Sequence, residues 1–284
     1  THYIILVDEI VSEINDASPA WSFSFFLSPF SFQMTIFFLI LSYFIAQTFA
    51  GALYYLCVPY GADFAEYGYL LLGTYVLLFF LLPFFKLVRK NSLPSWKTQR
   101  FRGMIPAAIC MLLMALGVEL LLKPFSFSDE GRMQMFEAMK SNVLCILLLT
   151  VVGPLIEELI FREGILRTLI HRYHVRPLWA VLISALTFGI IHFNLAQCVP
   201  AIFLGILLGV LYLLTDDIRL CFVAHVVNNS LALLYLQVPE TASWEDQLPL
   251  PMLLGLGALL CAFSFYLLNL LLIPHENKKH RFRR

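Results

Sequence analysis

The sequence predicts an all-α, polytopic membrane protein, a bundle of about eight transmembrane helices. Of its 284 residues, 60% are hydrophobic and 13% are charged, whereas about a quarter of the residues in a soluble domain are charged. A single soluble core could not bury so many apolar side chains. Eight apolar segments approach the roughly 20 residues that a membrane-crossing helix needs. They lie near 33–57, 67–86, 104–122, 141–170, 178–193, 198–214, 219–237 and 249–273.

These segments define one membrane-embedded helical domain, predicted for residues 33–273, with the chemically distinctive residues within 140–240. Residues 1–32 are expected to form an amphipathic or interfacial segment, because apolar residues recur there at helical spacing. Residues 274–284 are expected to form a basic cytoplasmic tail. Within the fourth segment, Gly153-Pro154 predicts a bend, because proline lacks the N–H that an α-helix requires.

Lysine and arginine are distributed unevenly among the predicted loops. All but three of the 19 lie after the second segment, around the end of the fourth, before the seventh, or in the C-terminal tail. With eight crossings these regions share one side, which the positive-inside rule makes cytoplasmic. We therefore expect both termini in the cytoplasm and a bacterial cytoplasmic membrane as the host. The net charge of zero gives no reason to expect a nucleic-acid partner; membrane lipids are the expected surroundings.

Three groups of polar residues lie inside predicted helices, where such residues are costly and are usually functional. They are Glu157, Glu158 and Arg162 in the fourth segment, His192 in the fifth, and His225 with Asn229 in the seventh. Counted from the cytoplasmic ends, all three groups lie roughly 9–20 Å deep at 1.5 Å per residue. The sequence therefore predicts that they meet in one intramembrane site.

Helical spacing assigns the two glutamates different surroundings. Glu158 and Arg162 are four residues apart and can form an ion pair. Glu157 points about 100° away and has Phe161, not a cation, four residues later. We therefore expect Glu157 to be a carboxylate without a cationic partner beside an apolar wall, able to take a proton from water.

The remaining polar residues suggest donors for the same chemistry. His225 and Asn229 share a helix face, and their two donors could hold the oxyanion of a tetrahedral intermediate. Glu163 is expected at the polar end of the segment, paired with Arg167.

A catalytic zinc ion is the alternative to metal-free chemistry. A glutamate and two histidines form a common three-ligand set, which here would be Glu157, His192 and His225. The sequence has no HExxH motif, and its six cysteines occur in no CxxC pair. We therefore favour a site without a cofactor and retain zinc as the alternative.

The polar groups resemble the three motifs of the CPBP (ABI) family of intramembrane proteases, which includes the type II CAAX prenyl proteases. The matching residues are Glu157-Glu158 with Arg162 for EExxxR, Phe188 with His192 for FxxxH, and His225 with Asn229 for HxxxN. The resemblance covers roughly residues 140–240, with the motifs in the family's order.

The resemblance implies an all-helical membrane fold and an intramembrane endopeptidase that uses a glutamate-activated water. Glu157 would activate that water with the help of His192. His225 and Asn229 would stabilise the oxyanion, and Glu158 with Arg162 would hold the first motif in shape. The implied substrate is a CAAX-type or other membrane-associated peptide, lipidated or not.

Two other classes of protein fit part of the pattern. One is a non-proteolytic immunity or scaffold membrane protein with the same fold, in which the polar residues only join helices. The other is a transporter with a proton relay, which the absence of a repeated half in the sequence disfavours.

Overall fold

A computed structural model describes residues 30–57, 103–125, 142–192, 194–235 and 248–272, with a few single positions between 59 and 78 and at 127. The regular structure in these ranges is helical, which confirms the predicted all-α class. We number the helices α1 (Phe30–Cys57), α2 (Met104–Leu122), α3 (Val143–His171), α4 (Pro177–Ile190), α5 (Leu195–Thr215), α6 (Ile218–Tyr235) and α7 (Leu250–Leu272).

Five of these helices, α2, α3, α5, α6 and α7, are long and apolar enough to cross a membrane. Helix α4, with 14 residues, and the apolar part of α1 are shorter. The span predicted near 67–86 and the predicted terminal segments lie almost entirely outside the described residues. The predicted total of about eight helices is therefore not confirmed, and the orientation that depended on it stays a prediction.

Helix α3 lies at the centre of the described bundle, where it contacts α1, α4, α5 and α6. Its residues 156–166 are all buried, including the charged ones. A helix that is buried on every side must find partners for its polar groups within the protein. The charged run in α3 therefore faces neighbouring helices.

The bend predicted at Gly153-Pro154 takes the form of a π-helical segment, Leu148–Val152, just before it. Proline at 154 has no N–H to donate, and the Gly153 N–H bonds the Leu148 carbonyl, five residues back, instead of the carbonyl four residues back. A second π-helical segment, Leu159–Leu166, follows Glu158. Such segments are rare and often occur at functional sites.

Small residues let neighbouring helices approach closely. On α5, a Cβ added at Gly205 would lie 3.2 Å from Ala185 of α4, and one at Gly209 would lie 3.0 Å from Val181. Between α2 and α7, a Cβ at Gly117 would lie 2.9 Å from the Gly257 carbonyl oxygen and 2.7 Å from Cys261 Sγ. Close backbone contact of this kind is the usual source of helix association in membranes.

The α2–α7 contact yields a prediction about stability. Gly117→Ala should destabilise the protein by about 1–3 kcal/mol, because the new methyl group meets backbone atoms that can separate only if the helices do. Gly255→Ala on α7 is the matched control, since a Cβ there meets nothing within 4 Å. Thermal unfolding in detergent measures both, and equal Tm values would contradict the close packing.

Candidate active site

The Glu158 carboxylate joins α3 to α6. Its Oε1 accepts a hydrogen bond from His225 Nδ1 at 2.8 Å, and its Oε2 lies 3.0 Å from Arg162 Nε. Glu158 and Arg162 have no exposed surface, and His225 is 4% exposed. The ion pair predicted from the i, i+4 spacing is therefore present, and the structure adds His225 as a second partner.

The Arg162 guanidinium is held by groups from both α3 and α4. Its Nη1 donates to Ser184 Oγ at 3.4 Å, and Ser184 in turn donates to the Phe161 carbonyl at 2.9 Å. The guanidinium carbon lies 5.2 Å from the centre of the Phe188 ring, which is cation–π distance. Ion pairing and ring stacking together offset the cost of burying this charge.

Glu157 differs from the prediction, because it is not alone beside an apolar wall. Its Oε1 accepts a hydrogen bond from Tyr43 of α1 at 3.1 Å, and its Oε2 lies 3.5 Å from His225 Nε2. It is 9% exposed, whereas Glu158 is fully buried. The expectation of no cation four residues later was right, but tertiary contacts supply other partners.

The His225 ring bridges the two adjacent carboxylates, with one nitrogen facing each. An ionised carboxylate can only accept, so the 2.8 Å contact to Glu158 assigns a proton to Nδ1. Nε2 then accepts in the neutral ring and donates in the protonated ring. The Glu158–Arg162 pair thereby fixes the orientation of an imidazole whose other nitrogen faces Glu157.

His192 lies beside this cluster without bonding to it. Its Nδ1 donates to the Phe188 carbonyl at 2.9 Å, and it makes no hydrogen bond or ion pair to Glu157, Glu158 or His225. The Phe188 ring packs edge to face against both histidines, with centroid distances of 5.3 Å to His192 and 5.6 Å to His225. The two histidines therefore lie on the same Phe188 ring and make no hydrogen bond to each other.

Asn229 has a role in the backbone that the sequence reasoning missed. In a regular helix the Leu149 carbonyl would accept from the Gly153 N–H, which instead bonds Leu148. The next donor in a π-helix would be residue 154, a proline without an N–H. Asn229 Nδ2 donates to this carbonyl at 2.9 Å, so one of its two amide hydrogens is already committed. The prediction that His225 and Asn229 together hold an oxyanion stays a prediction, and the structure adds that each already uses one donor, His225 toward Glu158 and Asn229 toward Leu149.

The expected Glu163–Arg167 pair is also wrong. Glu163 is completely buried, and its Oε1 accepts a 2.7 Å hydrogen bond from Tyr212 of α5. The π-helical turns from 159 to 166 change the angular spacing on which an i, i+4 argument depends.

The alternative zinc ligands do not come together. Among the described residues no group of three His, Cys, Asp or Glu side chains is arranged to hold a metal ion. Glu157 and His225 are neighbours, whereas His192 makes no hydrogen bond or ion pair with either and bonds the Phe188 carbonyl through Nδ1. The choice between a metal-free site and zinc therefore stays a prediction, and no chemical step below passes through a metal.

Three contacts of the site come from residues that the sequence did not single out. They are Tyr43 at Glu157, Ser184 at Arg162 and Tyr212 at Glu163. A hydroxyl in an apolar helix is a weak signal, since the chain has 12 tyrosines. Only packing between helices selects the ones that matter.

The Leu149 contact predicts an effect of Asn229 on stability. Asn229→Ala should lower the free energy of unfolding by about 1–3 kcal/mol, because the carbonyl loses its donor in a place without water. Asn228→Ala on the same helix is the control, since Asn228 only donates to Asn229 Oδ1. Comparable losses of Tm in the two variants would contradict this assignment.

The surroundings of Arg162 predict that lysine cannot replace it. Arg162→Lys should destabilise the protein by about 1–3 kcal/mol although the charge is kept, because an ammonium group cannot both pair with Glu158 and stack on Phe188. Arg167→Lys, at a partly buried position on the same helix, should change little. Thermal unfolding in detergent compares them, and an unaltered Tm for Arg162→Lys would refute the argument.

Comparison with known proteins supports the resemblance seen in the motifs. Residues 139–231 match the family model described as type II CAAX prenyl endopeptidase Rce1-like. The Bacillus subtilis (strain 168) protein named "Putative membrane peptidase YdiL" is 28% identical over 131 residues, which is 46% of this chain and 52% of that protein. The chain thus spans about half the length of this curated relative. No solved structure matches. Residues 139–231, which contain all three motifs, are therefore similar to the Rce1-like type II CAAX prenyl endopeptidases, in agreement with the resemblance of those motifs.

Proposed function

We propose that this protein is an intramembrane endopeptidase in which Glu157 activates water for peptide-bond hydrolysis. The observation that carries the proposal is the His225 ring between two adjacent carboxylates, one closed off and one accessible. Glu158 is fully buried and engaged with Arg162, whereas Glu157 retains 9% exposure. Such a division between neighbouring carboxylates suits one structural and one reactive group.

The reaction follows from the groups around Glu157. Glu157 takes a proton from a water molecule while the oxygen of that water attacks the peptide carbonyl carbon. The carbonyl oxygen becomes the oxyanion. When the intermediate collapses, the C–N bond breaks and the departing amine takes the proton from Glu157. The carboxylate is then restored.

His225 and His192 would act as electrostatic partners in this scheme. With Nδ1 held by Glu158, a protonated His225 donates from Nε2 to the oxyanion, its positive charge lying between two carboxylates. His192, with Nδ1 on the Phe188 carbonyl, has Nε2 to orient the water. Asn229 would hold the bent α3 backbone through the Leu149 carbonyl. Its second amide hydrogen would help to stabilise the oxyanion.

The proposed substrate is a membrane-associated peptide, with a prenylated CAAX terminus as the first candidate. The matched family is described as CAAX prenyl endopeptidases, and the named relative as a membrane peptidase. A site within a bundle of apolar helices suits a peptide that carries a lipid or an apolar sequence. The proposed location is a bacterial cytoplasmic membrane with both termini in the cytoplasm.

A non-proteolytic membrane scaffold is the second candidate, and one observation favours it. Glu158, Arg162 and His225 form a buried clasp that joins α3 to α6 whether or not a reaction occurs. Such a scaffold would tolerate the loss of Glu157 charge, since Glu157 is at the edge of the clasp.

Glu157→Gln should therefore abolish cleavage while the protein stays folded. We expect a loss of about 10²–10⁴-fold, because an amide cannot act as the base. Glu163→Gln is the matched control: it removes a buried carboxylate from the same helix but keeps an acceptor for Tyr212. The assay uses purified full-length protein in detergent, a fluorogenic farnesylated CAAX peptide and a mixed peptide library, with and without chelator.

The same assay separates the alternatives. We expect the wild type to remain active in chelator, whereas loss of activity that zinc restores would favour a metal mechanism. A folded wild type that cleaves no substrate, or equal cleavage by Glu157→Gln, would support the scaffold.

A further inference from the structure

A tyrosine pair outside the family-matched segment contacts the reactive carboxylate. Tyr43 of α1 donates from Oη to Glu157 Oε1 at 3.1 Å, and its Oη lies 3.3 Å from Tyr75 Oη. Both tyrosines are 5% exposed. They lie about 60 residues or more before residue 139, where the matched segment begins, so no motif of the chain includes them.

The hydrogens in this pair can be assigned by elimination. Each hydroxyl has one hydrogen to donate, and an ionised carboxylate can only accept. Because Tyr43 gives its hydrogen to Glu157, a hydrogen bond between the two hydroxyls, 3.3 Å apart, runs from Tyr75 to Tyr43. The result is a directed chain from Tyr75 through Tyr43 to Glu157, in which each hydrogen bond strengthens the next.

Packing holds the Tyr43 ring where this chain requires it. The ring stacks on Tyr75 with a centroid distance of 6.1 Å and meets Phe161 edge to face at 6.4 Å. Phe161 in turn packs against Phe188, the ring shared by both histidines.

The consequence concerns which oxygen of Glu157 reacts. Oε1 accepts the 3.1 Å hydrogen bond from Tyr43, whereas Oε2 has only the 3.5 Å contact to His225 Nε2. A carboxylate anchored through one oxygen cannot rotate freely, so its other oxygen keeps a constant position.

We propose that Tyr43, supported by Tyr75, is a positioning residue that anchors Glu157 through Oε1 and directs Oε2 toward the attacking water. This role rests on the proposed function and extends it to α1, outside the matched segment. Tyr43 does not itself exchange a proton with substrate. It orients the base.

The test compares kcat and KM of Tyr43→Phe and Tyr55→Phe in the farnesylated-peptide assay, with Tm measured for each variant. Tyr55 is a matched control on the same helix, 75% exposed and away from Glu157. Tyr43→Phe should lower kcat about 10- to 100-fold, while its KM and Tm stay close to the wild-type values.

Each result decides the role. A lower kcat for Tyr43→Phe at unchanged KM and Tm supports it when Tyr55→Phe keeps the wild-type kcat, and a smaller fall is expected for Tyr75→Phe. An unchanged kcat for Tyr43→Phe overturns it, and so does a fall in kcat that only matches a loss of folded protein. In that case the proposed function still stands if the wild type cleaves the peptide and Glu157→Gln does not. A wild type without activity overturns both the proposed function and the positioning role.

Discussion

The buried carboxylate of Glu158 is the group on which the rest of the site depends. It is fully enclosed, and it neutralises Arg162 on its own helix while binding His225 of α6. In a helix surrounded by apolar side chains, removing one partner of such a set leaves an uncompensated charge, which costs about 3–5 kcal/mol. The clasp of Glu158, Arg162 and His225 therefore joins α3 to α6 and also fixes the orientation of the imidazole.

Bending of α3 and the position of Asn229 have a common cause. Pro154 cannot donate a hydrogen bond, the helix widens into a π-helical segment before it, and the Leu149 carbonyl is left for Asn229. The backbone irregularity is compatible with a membrane interior only because a neighbouring helix supplies the donor. The contact of Asn229 with Leu149 thus adds a second junction between α3 and α6 to that of His225 with Glu158.

The two adjacent glutamates of α3 show how environment divides similar groups. Glu158 faces a guanidinium and an imidazole nitrogen at short distance, whereas Glu157 faces a phenol and the other imidazole nitrogen. The His225 ring lies between them, with one nitrogen toward each. The fully buried carboxylate therefore fixes the orientation of the ring, whereas the other retains 9% exposure.

Composition, apolar periodicity and motif spacing by themselves determined that this is a helical membrane protein and that Glu158 pairs with Arg162. These are local properties of single helices, whose geometry is regular enough to project from a list of residues. Only the tertiary structure decided that Tyr43 binds Glu157, that Tyr212 binds Glu163 and that Asn229 binds a backbone carbonyl. Those partners come from other helices, and the rotation of one helix against another is set by packing; in α3 the π-helical turns also shift the angular spacing.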